Sequence, residues 1–210
     1  MALNFPTGPT NGQSYTNNGK TWQWDSTATR WVSTTATGIN STTPISTTDT
    51  TQSTSPSTGS INTLGGLGVT KNLNVGGITG LHAVFEAATI NASAPSSTTT
   101  FDINTQAVVY YTSNATTSFT LNIRGDGSTT LASILATGQS CSIALFVTNG
   151  ATPYYPSTFQ IDGSSASVKW LNGTSISTGN ANSVDLYNFV IVKTAATPTY
   201  SVFGSQIRYA

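Results

Sequence analysis

The alternation of side chains in SCSIALFVT, residues 140–148, is the pattern that most limits what this chain can become. Cys141, Ile143, Leu145 and Val147 fall on one face of a strand, with smaller or more polar residues mostly between them. The same period recurs at Phe119, Leu121 and Ile123, and at Tyr187, Phe189 and Ile191. Further short strands are predicted in VFEAATI, TFDI, QAVVYYT, STFQI, SVKWL and TYSVFGSQIRY, divided by turn residues such as Asp162-Gly163. One helical turn is predicted in TLASILATG, where Leu131, Ile134 and Leu135 have helical spacing and Gly138 is placed to cap it. Eight or nine strands with turns every 8 to 15 residues make residues 82–210 an all-β domain, a β-sandwich or jelly roll.

Residues 1–33 read as a separate, small aromatic β module. Pro6, Pro9 and Asn11-Gly12 mark turns, and Asn18-Gly19 between SYT and KTWQW is a strong signal for a tight hairpin. Trp22 and Trp24 share one strand face, and Trp31 comes from the next strand. Two readings stay open for them: a minimal core for three short strands, or an exposed docking surface. Residues 34–60 are mostly Ser and Thr, with Pro44 and Pro56. Such a stretch cannot offset its ordering entropy through its own contacts, so it is expected to be an extended linker. Residues 61–81 carry a thin apolar line, Ile61, Leu64, Leu67, Val69, Leu73, Val75 and Ile78, among glycines. A segment this short has no second layer of its own, so the line asks for a partner.

Composition narrows the function. Charged residues make up 7% of the chain, against roughly 25% in ordinary domains, and seven basic residues balance seven acidic ones. No field steers it to nucleic acid or to an anionic membrane. No run of about 20 apolar residues is present, and MALNFPTGPTNG lacks a basic-then-apolar leader, so neither a membrane span nor a signal peptide is expected. Cys141 is the only cysteine, which excludes an internal disulfide and reads as packing. His82 is the only histidine, which rules out a multi-histidine metal site. A packing or hydrogen-bonding role suits it better than a catalytic one. Asp25, Asp126 and Asp162 sit where turn formation accounts for them. LGGLGVTK lacks the spacing of a phosphate loop, and Arg124-Gly125-Asp126 reads first as a hairpin turn. No catalytic constellation, cofactor or metal is expected. Tyr154 and Tyr155, in the Pro-bounded loop GATPYYPST, suit a core edge, a subunit contact or a glycan contact equally.

Three stretches carry a resemblance. NFPTGPTNGQSYTNNGKTWQWD, with Arg30-Trp31 after it, resembles a small repeat in tail-fibre and other virion proteins of tailed bacteriophages, notably those of marine bacteria and cyanobacteria. STGSINTLGGLGVTKNLNVGG resembles a glycine-rich element of phage fibre shafts and connectors. The region from FDINTQAVVYYTSNATTSFTLNIRG to YYPSTFQIDG is similar to a terminal β domain of structural proteins from the same phages. The resemblance implies a virion component, often a homotrimer, in which the apolar line is buried by three copies around one axis. It implies a short tail fibre or a tail- or baseplate-associated appendage. The N-terminal module, with Trp22, Trp24 and Trp31, would attach it to other virion proteins. The alternatives are a capsid decoration or head-fibre protein, or a host-surface glycan-binding module contacting ligand through Tyr154 and Tyr155.

Overall fold

A computed structural model describes residues 4–33, 48, 50, 53–55, 58, 61, 67–70 and 72–210. The chain divides into two compact units, Met1–Gly76 and Gly77–Ala210. The predicted Gly-rich segment 61–81 therefore straddles the division, and most of the predicted linker lies outside the described residues.

In the first unit, β1 (Ser14–Asn17), β2 (Lys20–Asp25) and β3 (Arg30–Ser33) form an antiparallel three-stranded sheet in that order. Asn18 and Gly19 both have positive φ, 48° and 74°, the geometry that a tight two-residue hairpin demands. The predicted hairpin is present, in register Tyr15 to Trp22 and Asn17 to Lys20.

The second unit is all-β with two sheets. One has the order β10 (Ser164–Ser165), β9 (Pro156–Ile161), β7 (Phe119–Arg124), β5 (Thr98–Asp102). The other has the order β11 (Val168–Trp170), β13 (Thr199–Tyr209), β12 (Ser183–Ala195), β8 (Ser140–Asn149), β6 (Val108–Tyr111), β4 (Ala88–Asn91). Each predicted strand of this region is found. Their inward faces share one core, led by Phe101, Phe119, Leu121, Ile123, Leu145, Val147, Tyr187, Phe189 and Ile191. Phe159 and Phe189 meet across the two sheets, ring centroids 4.9 Å apart.

The strand directions are not those of a jelly roll, which is antiparallel. From β4 to β9 the chain alternates between the sheets, and β4, β6 and β8 run parallel, as do β5, β7 and β9. Parallel neighbours need a crossover connection, and here each crossover includes a strand of the opposite sheet. Antiparallel pairing in this unit enters only through β8–β12, β12–β13 and β9–β10, while β11 joins β13 in parallel. The tripeptide Arg124–Asp126 is thus not a hairpin turn. The Asp126 N–H donates to Thr129 O (2.9 Å), and the chain then enters α1 (Leu131–Ile134) instead of returning beside β7.

The helical turn is where it was expected, but its end is not. Leu135, in extended geometry, closes α1 by donating its N–H to Leu131 O at 3.0 Å. Gly138 (φ 84°) serves the next turn, Ala136–Gln139. Charged side chains pin both ends of α1. Asp162 accepts from the N–H groups of Leu131 (2.7 Å) and Ala132 (3.0 Å). Buried Lys193 donates through Nζ to the carbonyls of Ala132 (2.7 Å) and Leu135 (2.9 Å). A carboxylate at the N-terminus and an ammonium at the C-terminus are the arrangement the helix dipole favours.

Candidate interaction surfaces

Among the described residues, the apolar line before the β domain has no cover. Leu64 lies outside the described residues, while Ile61, Leu67, Val69, Leu73, Val75 and Ile78 are exposed to between 47% and 101%. The line also continues further than expected, through Leu81, Val84 and Phe85, the last 99% exposed. The signal was visible as GLHAVFE, which reads as the start of a strand. In the structure β4 begins only at Ala88, so Val84 and Phe85 belong to the connector. Nine large apolar side chains in water are unusual, since burying each contributes about 1.5–3 kcal/mol. His82 lies in the same run and is exposed, not packed.

The described glycines of this segment are equally unexplained by the described residues. At Gly68, Gly76, Gly77 and Gly80 an added Cβ would meet nothing within 4 Å, and none has a positive φ that requires glycine. Gly65 and Gly66 lie outside the described residues.

The aromatic module gathers its rings on one face. Tyr15 sits opposite Trp22, and Trp24 opposite Trp31, their ring centroids 5.6 Å apart. Phe5, which the sequence reading did not single out, folds over them. It stacks on Trp31 (5.2 Å, interplanar 13°) and sets its edge against Trp22 at 5.5 Å. The opposite face carries Thr16, Thr21, Gln23 and Val32. The rings therefore make the core of the module, yet none of residues 4–33 is fully buried. Both readings of the three tryptophans retain part of their force: the rings pack on each other and still show surface.

Tyr154 and Tyr155 lie between β8 and β9, half-buried against the main core. The Tyr154 N–H donates to Asn149 Oδ1 (2.9 Å), and Tyr155 O accepts from the Phe119 N–H (3.2 Å). Of the three roles open to them, this placement is that of a core edge. Behind them is a feature the sequence did not reveal. Asp185 is fully buried and accepts five hydrogen bonds, from Asn149 Nδ2, the Asn180 N–H and Nδ2, Tyr187 OH and Gln206 Nε2. Burial, and next the charge of Asp185, pushes the Tyr187 phenol far above its ordinary value. Gly179 is required here, because a Cβ would stand 2.4 Å from Tyr154 O and 2.8 Å from Asn149 Nδ2.

Three further carboxylates are also engaged. Asp25 accepts from the N–H groups of Thr27 and Ala28, and Asp102 pairs with Arg124 (Nε to Oδ1, 2.6 Å). Asp126 accepts from Asn104 Nδ2 and the Ser128 N–H, both at 2.8 Å, which lowers its pKa to about 2. Arg124 and Asp126 are thus committed to their own fold. Cys141 packs against the core, and burial raises its thiol pKa. Among the described residues no three His, Cys, Asp or Glu side chains gather to hold a metal ion.

No family model, curated protein or solved structure matches this chain. What it does has to be argued from its own surfaces.

Proposed function

We propose that this chain is a structural component of a bacteriophage particle, a short appendage assembled from several copies, three by the resemblance of its sequence to fibre proteins. The observation that carries the reading is the connector. It presents nine exposed apolar side chains and four described glycines that nothing among the described residues requires. Both make sense if other copies lie alongside, because apolar side chains then lose water and bare glycine backbones can approach closely. A low charge agrees with extensive protein contacts, since few ions need desolvation. In this reading the N-terminal aromatic module docks on a tail or baseplate protein and the β domain forms the outer knob. A capsid decoration protein would use the same parts, with the capsid covering the connector.

The solution mass by light scattering tests the assembly. Full-length protein is expected at a multiple of 21.8 kDa, and residues 82–210 alone at a lower multiple. Full-length protein that stays at 21.8 kDa across the micromolar range removes the appendage reading. For the attachment role, residues 1–81 added to particles lacking the protein should bind them; failure to bind would assign attachment elsewhere.

A further inference from the structure

The two outer faces of the β domain differ. On the four-stranded sheet, Thr98, Thr120 and Thr158 form one rung and Thr100, Asn122 and Gln160 the next. On the six-stranded sheet, one rung crosses five strands with apolar or aromatic side chains throughout: Ile90, Tyr110, Phe146, Leu186 and Ile207. A shallow depression of about 430 Å³ lies over its Ile90, Tyr110 and Phe146 end, walled also by Val108, Val184 and Tyr209. Ile90 and Tyr209 are more than half exposed. A polar outer face can stay in water; this one is built like a face awaiting a cover.

We propose that the cover is the segment 78–85 of a second copy of this chain. The inference rests on the assembly proposed above and adds the surface that makes it. Three observations select the occupant. The first is charge: residues 72–85 contain no Lys, Arg, Asp or Glu, and neither does the rung, so no ion is desolvated when they meet. The second is reach. Four inter-strand gaps span about 19 Å, and eight extended residues span roughly 26 Å, so the segment can cross the whole rung. The third is that the chain's own segment is directed elsewhere. Ala87 O already accepts from the N–H groups of Ala107 (3.1 Å) and Val108 (3.3 Å), which fixes the chain in the plane of the sheet two residues after Phe85. Only Glu86 is left to make a sharp turn back, and Ile78 and Phe85 remain fully exposed. Because β4 is an edge strand, the segment leaves the domain beside the face it would cover on a neighbour. Each copy then gives a segment to one neighbour and receives one from another, a head-to-tail contact that forms a ring when the rotation between copies closes.

The test compares three full-length double variants by light scattering, with circular dichroism to confirm folding. Ile90→Lys with Ile207→Lys, and Val84→Ser with Phe85→Ser, are each expected to lower the mass to 21.8 kDa. Thr100→Lys with Thr158→Lys, on the polar face, should leave the wild-type mass. In a Cys141→Ala background, chains carrying Phe85→Cys are expected to form disulfides with chains carrying Phe146→Cys when the two are mixed. If the segment variant dissociates while the rung variant keeps its mass, the appendage reading stands and this inference falls. Efficient self-linking of Phe146→Cys chains without cross-linking to Phe85→Cys means face-to-face packing, and also overturns it. A monomeric wild type overturns both proposals.

Discussion

Replacing Asp185 is the sharpest test of what holds the β domain together at its loop end. Its Oδ2 accepts from Asn149 Nδ2 (3.1 Å), the Asn180 N–H (2.8 Å), Tyr187 OH (3.3 Å) and Gln206 Nε2 (3.2 Å), and Oδ1 accepts from Asn180 Nδ2 (2.6 Å). One side chain thereby ties the end of β8, the loop before β12 and strand β13. In Asp185→Ala, Gln206 Nε2 still donates to Tyr187 OH at 3.2 Å, but the buried Tyr187 hydroxyl loses the acceptor of its own proton. Asn149 Nδ2 and the Asn180 N–H lose this acceptor inside the protein. Each buried donor left unsatisfied costs about 1–3 kcal/mol, so the variant should lose roughly 4 kcal/mol. Asp185→Asn keeps the shape and one acceptor oxygen, and the Asn180 amide can rotate to accept from the new NH₂. Only charge assistance is lost, about 1–2 kcal/mol. The assay is urea unfolding followed by circular dichroism at one protein concentration, comparing midpoints at constant slope. The Ala variant should fall well below the Asn variant. An Ala variant within about 1 kcal/mol of wild type would show that water replaces the carboxylate without loss, and that it does not tie these segments together.

Lys193→Met keeps the apolar stem but leaves the carbonyls of Ala132 and Leu135 unpaired. Two charged hydrogen bonds, offset by an ammonium no longer desolvated, give a net loss of about 2 kcal/mol. Hydrogen exchange at the Leu135 amide should accelerate, and unchanged exchange would refute the pinning of α1. Gly204→Ala would put a Cβ 2.7 Å from Val168 and 3.1 Å from the rings of Phe189 and Trp170. Overpacking of this kind costs about 1–3 kcal/mol, read as a lower melting temperature; a neutral variant would mean that β11 shifts freely. Asp126 should titrate near 2, against an ordinary 3.8, in an NMR pH series, because hydrogen bonds from Asn104 and Ser128 favour its charged form. Since the folded value is depressed, its contribution to the turn is complete above about pH 4 and is lost as pH falls through about 2. A midpoint near 4 would contradict the hydrogen-bonded geometry.

Strand positions were legible because one face of each strand alternates: Phe119, Leu121 and Ile123, or Tyr187, Phe189 and Ile191, all point into the core. Strand direction was not, since alternation is the same for parallel and antiparallel neighbours and no turn chemistry marks a crossover. Asp185 was invisible for a related reason: its donors Asn149, Asn180 and Gln206 are brought together only by folding. The connector was legible as an apolar line without a second layer, and its exposure in the structure keeps that question open in physical form. The outer rung did leave a trace in the sequence. VVYY in β6, SIALFV in β8 and LYNFVIV in β12 carry apolar residues on both faces, whereas FTLNIR in β7 and STFQI in β9 place Thr, Asn or Gln between theirs. Strands apolar on both faces belong to sheets covered twice. The four-stranded sheet covers the inner face of the six-stranded one, so the doubled pattern calls for a second layer that the described residues of one chain do not supply.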